Sequence, residues 1–227
     1  LLNDIELNTL VNTMQNFGGR ISWRTSETGE QKAYEMNISL FDALQGTVEG
    51  EDKWGLERFI CAHAIMFALE GIPGIYIHSM LGTRNDYEKL KNTHHNRSIN
   101  RHRWDYGQLD SQLNNPSSSH RKVLGRMLEL INIRKKQLAF HPNAIQFVLH
   151  LGLNLFGFWR QSSDRKQSIF CVSNITKEPA ELRLNELNLI SNNSWFDLIS
   201  GSSVDNLNEV VILAPYQTVW LTNIMLD

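Results

Sequence analysis

The 227-residue chain is 41% hydrophobic and 20% charged, a globular composition that allows one or two domains, each with its own core. A formal net charge of -2 gives no electrostatic reason to bind nucleic acid or an anionic membrane, and no apolar run reaches the roughly 20 residues that span a bilayer. Cys61 and Cys171 stand far apart in apolar contexts. They are expected to be buried thiols of a reducing, cytoplasmic compartment, not a disulfide or a metal pair. No basic-then-apolar secretory leader is present and the first residue is Leu. The Asn-x-Ser/Thr triplets at Asn37, Asn96, Asn174 and Asn192 are therefore expected to be coincidences of an Asn-rich chain.

In chain order, Asp4 to Phe17 carries Ile5, Leu7, Leu10, Val11 and Met14 at helical spacing, and Gly18-Gly19 ends the run as a helix stop. Trp54 to Leu69 predicts a second helix, apolar on all sides and hence buried. Gly71-Ile72-Pro73-Gly74 breaks it, and Ile75 to Leu81 reads as a buried strand. A polar stretch from Gly82 to about Ser119 shows turn signals and little periodicity. A third helix runs from about His120 to Leu138, and its basic end Arg134-Lys135-Lys136 suits a helix C-terminus.

The pattern changes at His141-Pro142. Seven short runs follow: Ala144–Leu151, Leu153–Arg160, Gln167–Asn174, Ala180–Leu184, Ser194–Ile199, Val210–Leu213 and Thr218–Asn223. They predict a small antiparallel sandwich or barrel, with Ser162-Ser163-Asp164 as a hairpin turn. The first part has β/α-barrel grammar, a strand between helices with a long functional loop beyond it, yet a whole barrel needs about 250 residues. The expected architecture is α/β plus all-β: an incomplete C-terminal portion of a TIM-type (β/α)8 barrel over residues 1–141, then an antiparallel β-domain over 142–227. The alternative is a small helical bundle in place of the barrel portion.

Three polar stretches carry candidate chemistry: Ala33-Tyr34-Glu35-Met36-Asn37-Ile38, Gly71-Ile72-Pro73-Gly74-Ile75-Tyr76-Ile77-His78, and Gly82-Thr83-Arg84-Asn85-Asp86 continuing to Asn96-Arg97-Ser98-Ile99-Asn100-Arg101-His102. In this order they resemble the sucrose phosphorylase group of glycoside hydrolase family 13, the α-amylase superfamily. The Gly-Ile-Pro-Gly-Ile-Tyr piece resembles the family's eighth barrel strand, and the two arginine-bearing pieces resemble the loop after it. Tyr34-Glu35-Met36-Asn37 resembles the acceptor-side loop in its glucosylglycerate phosphorylase form. Leu213-Ala214-Pro215-Tyr216-Gln217 with Trp220 resembles the end of the family's C-terminal β-domain.

The resemblance implies a retaining double displacement with an Asp nucleophile and a Glu acid/base, their carboxyl groups about 5–5.5 Å apart. A further Asp, in a His-Asp pair, stabilises the transition state, and inorganic phosphate replaces water in the second step. This sequence has no His-Asp dipeptide, and its start, Leu1-Leu2-Asn3-Asp4-Ile5, resembles the segment shortly after that pair. None of the three catalytic carboxylates carries over, and Glu35, Asp42 and Asp86 do not replace them. The chain is thus expected to be a fragment, inactive alone, lacking an N-terminal barrel portion and prone to self-association at the cut edge. No cofactor or metal is expected.

By the same resemblance Arg97 grips phosphate oxygens or a glycerate carboxylate, Tyr34 and Glu35 face the acceptor subsite, and Asn85 and Asp86 contact substrate. Asn85 and Asp86 are equally read as turn formers, Arg101 as one half of a structural ion pair, and His78 as a satisfied buried histidine. His94, His95 and His102 with Arg97, Arg101 and Arg103 also suggest a nucleic-acid patch or a metal site, but no third ligand stands at zinc spacing. Trp159, Trp195 and Trp220 are expected in the core and not as a sugar platform. An amylase-like or sucrose-hydrolysing enzyme and a non-catalytic sugar-binding or packing module stay open as other readings.

Overall fold

A computed structural model of the chain describes residues 2–187, 194–204, 206 and 208–225. It forms two compact units: Leu1–Phe59 with Ile75–Gly125, and Ile60–Gly74 with Arg126–Asp227.

The first unit opens with α1 (Asp4–Asn16), started by a capping box in which Asn3 and Glu6 bond each other's backbone N–H. Its end needs glycine: Gly18 sits at φ 85°, and a Cβ there would lie 2.0 Å from the Tyr87 hydroxyl oxygen. β1 (Arg20–Thr25) and β2 (Gln31–Asn37) form an antiparallel hairpin, closed by the turn through Ser26 and Gly29. Next come the short helix α2 (Leu40–Ala43) and a two-residue pairing of β3 (Gly46–Thr47) with β4 (Gly50–Glu51). α3 (Gly55–Ala68) buries Phe59, Cys61, Ala64, Phe67 and Ala68, as its all-round apolar pattern requires.

The strand expected at Ile75–Leu81 is not formed. Its place is taken by an extended approach and one turn of helix, α4 (Ile77–Met80). Every strand pairing among the described residues is antiparallel. A parallel strand needs partners for its N–H and C=O groups along the sheet. With none, the run closes on itself: Met80 N–H donates to Tyr76, Leu81 to Ile77 and Thr83 to His78. Ile72, Tyr76 and Ile77 are left exposed, Ile72 to 84%.

The stretch expected to be aperiodic holds α5 (Tyr87–Thr93), a 3-10 turn at Asn96–Asn100 and α6 (Tyr106–Asn114). Asp86 caps α5 by accepting from Lys89 N–H at 2.7 Å, and Asp105 caps α6 by accepting from Gln108 N–H at 3.1 Å. α7 (Ser119–Lys136) follows, and its last turn carries Arg134, Lys135 and Lys136.

The second unit takes in α3 from Ile60 and α7 from Arg126, and is built on β5 (Ile145–Leu149), β6 (Leu155–Gln161), β7 (Ser168–Asn174), β8 (Ala180–Arg183), β9 (Trp195–Asp197), β10 (Ser203–Val204), β11 (Val210–Leu213) and β12 (Thr218–Thr222). Six of these make one antiparallel sheet in the order β10-β9-β12-β7-β6-β5, and β8 pairs with β11 as a ribbon. Sheet and ribbon share one apolar cluster, with Phe170, Val172, Val219 and Leu221 from the sheet and Leu182 and Leu213 from the ribbon. Trp195 and Trp220 are buried, and Trp159 is stacked between Phe147 and Phe170. The tryptophans are core residues, as their strand positions predict.

Two buried or half-buried guanidiniums of this unit, Arg160 and Arg134, form no ion pair among the described residues. Arg160 is fully buried, and its Nη atoms donate to the carbonyls of Ala68, His141 and Ala144. Arg134 donates to the carbonyls of Phe67 and Gly71. Both guanidiniums thus satisfy carbonyls at and beyond the C-terminal end of α3, where the helix dipole favours positive charge. Asn174, also fully buried, organises the turn after β7 through five hydrogen bonds, to Glu178, Leu213, Ala214 and twice to Thr176. Burial of Asn37 and Asn174 agrees with reading those triplets as coincidences; Asn192 lies outside the described residues. No helix among the described residues is long and apolar enough to cross a membrane.

Candidate functional site

The site is built in the first unit, where the β1–β2 hairpin meets the 3-10 turn Asn96–Asn100. Asn37 donates to the Arg20 carbonyl and to Ser22 Oγ, closing the base of the hairpin. Asn96 donates to Ile21 O and Ser22 Oγ, and Asn100 to Ile38 O, which fastens the turn to the hairpin. Ile99 is fully buried beneath it, and its carbonyl accepts from Asp86 N–H at 2.7 Å.

Arg97 projects from this turn toward β2. Its Nε lies 3.0 Å from both carboxylate oxygens of Glu35. Hydrogen bonding to Glu35 and its negative charge hold the Arg97 guanidinium above its ordinary pKa. Tyr34 stands beside Glu35 on β2, 62% exposed, with the Arg24 guanidinium 5.3 Å from its ring centroid. The structure therefore brings Tyr34, Glu35 and Arg97 together.

Asn85 and Asp86 are placed elsewhere, and among the described residues no hydrogen bond joins their side chains to that group. Asn85 Oδ1 accepts from Ser39 N–H at 2.7 Å, and its own N–H donates to Asp42 Oδ2 at 2.6 Å. Asp42 is buried and also receives Ser39 Oγ and, at 2.8 Å, Arg84 Nη1. The carboxylate acts as a hub that locks two loops. Asp86 is occupied by its cap to Lys89 and by His102 Nδ1 at 2.7 Å. Burial alone would raise its pKa, but the Lys89 N–H, the His102 bond and the charges of His102 and Lys89 together hold it below the usual carboxylate range.

Three histidines, His78, His102 and His120, are likewise employed structurally. His102 and His120 flank Trp104 edge-on at 4.7 and 4.9 Å, and His120 Nδ1 lies 2.7 Å from Leu81 O. His78 is half-buried, with Nδ1 3.3 Å from Thr83 Oγ1, and burial followed by the charges of His102 and Lys89 lowers its pKa. Among the described residues no group of three or more His, Cys, Asp or Glu could hold a metal ion. Arg101 departs from expectation: its side chain makes no ion pair among the described residues, while its carbonyl accepts from Lys89 Nζ. Arg24 was not legible as a site residue, because only the hairpin pairing carries it to Tyr34.

Compared with known proteins, the chain is 31% identical over 221 residues to the glucosylglycerate phosphorylase of Escherichia coli (strain K12), covering 97% of this chain and 38% of that protein. It is 32% identical to the glucosylglycerate phosphorylase of Allomeiothermus silvanus, over 97% of this chain and 37% of that protein. A sucrose phosphorylase from Bifidobacterium adolescentis matches at 30% over 51% of the chain and 22% of its own length. Over nearly its whole length the chain is similar to enzymes of the sucrose and glucosylglycerate phosphorylase group of glycoside hydrolase family 13. It spans less than two fifths of the length of the glucosylglycerate phosphorylases it matches. The crystal structure of sucrose 6F-phosphate phosphorylase from Thermoanaerobacter thermosaccharolyticum shares the fold at a TM-score of 0.61 and 20% identity, over 93% of this chain and 37% of that one. No family model matches the chain.

Proposed function

We propose that this chain supplies the acceptor side of a retaining phosphorylase that transfers an α-glucosyl group between glucosylglycerate and inorganic phosphate, with sucrose as the other donor considered. In this reading residues 1–141 are the last part of a (β/α)8 barrel and residues 142–227 its C-terminal β-domain. A carboxylate contributed by the rest of the barrel attacks the anomeric carbon while an acid protonates the departing glycerate oxygen. Phosphate oxygen then displaces the enzyme carboxylate from that carbon, and α-glucose 1-phosphate leaves.

The observation that carries the reading is the Arg97–Glu35 pair beside Tyr34, in a chain that matches glucosylglycerate phosphorylases over nearly its whole length. A guanidinium gripped on one side keeps a planar fork for a carboxylate or a phosphate. Glu35 accepts hydrogen bonds from an acceptor hydroxyl as well as from Arg97. The open run at Ile72–Ile77 supports a barrel portion whose neighbouring strands lie outside this chain, and it is proposed as the surface through which the isolated chain self-associates.

The test is release of glucose 1-phosphate from glucosylglycerate and from sucrose, by the whole gene product and by this chain alone. The reading expects an active gene product that prefers glucosylglycerate, and an inert chain. Turnover by the chain alone would overturn the assignment of its catalytic carboxylates to another segment.

A further inference from the structure

The β1–β2 hairpin carries a bulge. Ser22 stands opposite Glu35 and Trp23 opposite Ala33, so Tyr34 is the extra residue of β2. Bulges re-aim side chains, and here Tyr34 is turned out to 62% exposure with the Arg24 guanidinium at 5.3 Å from its ring centroid. On the other side Tyr34 is neighbour to Glu35, which holds Arg97. The tyrosine is thus flanked by two guanidiniums and one carboxylate, a local excess of one positive charge.

The hydrogen-bonding capacity of this cluster is largely unused. Glu35 engages only Nε of Arg97, so among the described residues both Nη groups of Arg97 are without a partner. The Arg24 side chain makes no hydrogen bond or ion pair among the described residues and is held only by the ring face. The nearby Lys32 and Glu30 are paired with each other at 3.7 Å. Two unengaged guanidinium forks beside one phenol suit a small oxyanion, which accepts several charge-assisted hydrogen bonds at once. A neutral polyol offers neither the charge nor the planar acceptor pair.

We propose that Arg24 is the second cation of an oxyanion subsite, set by the Tyr34 bulge to share a carboxylate or phosphate group with Arg97. This rests on the acceptor-side reading given above and deepens it. The subsite selects an acidic acceptor, a small hydroxycarboxylate, over its uncharged alcohol. Inorganic phosphate presents the same oxyanion chemistry and is the other source that has to be separated.

The test is titration of the 15N-labelled chain, following the arginine Nε–Hε signals assigned through Arg24→Lys and Arg97→Lys. The probes are D-glycerate, inorganic phosphate and glycerol at constant ionic strength. Glycerate is expected to move the Arg24 and Arg97 signals along one saturation curve while glycerol moves neither. Arg24→Gln is expected to weaken the glycerate curve read at Arg97 by about fivefold or more, as loss of a charge-assisted contact requires, with backbone signals outside the hairpin unchanged. Tighter saturation of both arginines by phosphate than by glycerate would support the subsite and assign it to phosphate. Movement of Arg97 alone, unaffected by Arg24→Gln, would overturn the role of Arg24 and leave the acceptor-side reading standing. No movement at either arginine with either anion would overturn both.

Discussion

Arg97 meets Glu35 through Nε alone, 3.0 Å from each carboxylate oxygen, and this joins the 3-10 turn Asn96–Asn100 to strand β2. Arg97 is largely solvent-exposed and Glu35 partly so, and a pair in that setting orients rather than stabilises. Glu35→Gln is therefore expected to leave the melting temperature essentially unchanged. In the gene product it should lower kcat/KM for glucosylglycerate by about tenfold, the scale of one lost charge-assisted bond. A shift in melting temperature with unchanged kinetics would reverse that assignment.

Asp86 makes a different forecast, because its contacts are structural. Its pKa is depressed in the folded state, so its charged contacts contribute stability above the unfolded value of about 3.9 and lose it as pH falls through the lower folded value. Asp86→Asn keeps the cap but not the charge. Thermal unfolding should show the wild type more stable near neutrality and the two converging below about pH 4. Asp86→Ala, which removes the cap as well, should cost about 1 kcal/mol in a denaturant titration.

The two thiols should be silent in the native chain. Burial raises the pKa of Cys171 despite Arg160 and Arg134 nearby, and burial raises that of Cys61 against the opposing Thr218 and Ser173 hydrogen bonds. Since the thiolate is the reactive form, a disulfide reagent at pH 8 should label neither residue before unfolding and both after it. Rapid native labelling would contradict the packing around β7.

Arg160→Met should be among the most damaging single changes in the second unit. It leaves the carbonyls of Ala68, His141 and Ala144 without their donor. Each buried unsatisfied group costs about 1–3 kcal/mol, so a loss of about 3 kcal/mol or more is expected in urea unfolding. A change below about 1 kcal/mol would mean that water replaces the guanidinium.

Much of this fold was legible from periodicity. The predicted helix Asp4–Phe17 is observed as Asp4–Asn16, and Val210–Leu213 is a strand with the same bounds. The other six runs after Pro142 all contain strands, because alternation and turn residues there are local signals. The strand at Ile75–Leu81 failed for a non-local reason. An apolar run becomes a strand only where partners exist, and those partners are absent among the described residues. The β1–β2 hairpin was missed because its exposed, charged strands bury little, so only Ile21 and Asn37 are buried among them. Tyr34, Glu35 and Arg97 were singled out through motif resemblance, and they stand side by side in the structure. Arg24 could not be singled out, since its place over Tyr34 depends on a bulge that single-sequence alternation does not reveal.

The most direct test of the acceptor-side assignment is the kinetic effect of Arg97 substitutions in the gene product, measured as glucose 1-phosphate formed from glucosylglycerate. Arg97→Gln should lower kcat/KM by about a hundredfold, with Arg97→Lys recovering part of it through charge without the planar fork. Activity of Arg97→Gln within about twofold of wild type, well below one lost charge-assisted bond, would contradict the assignment.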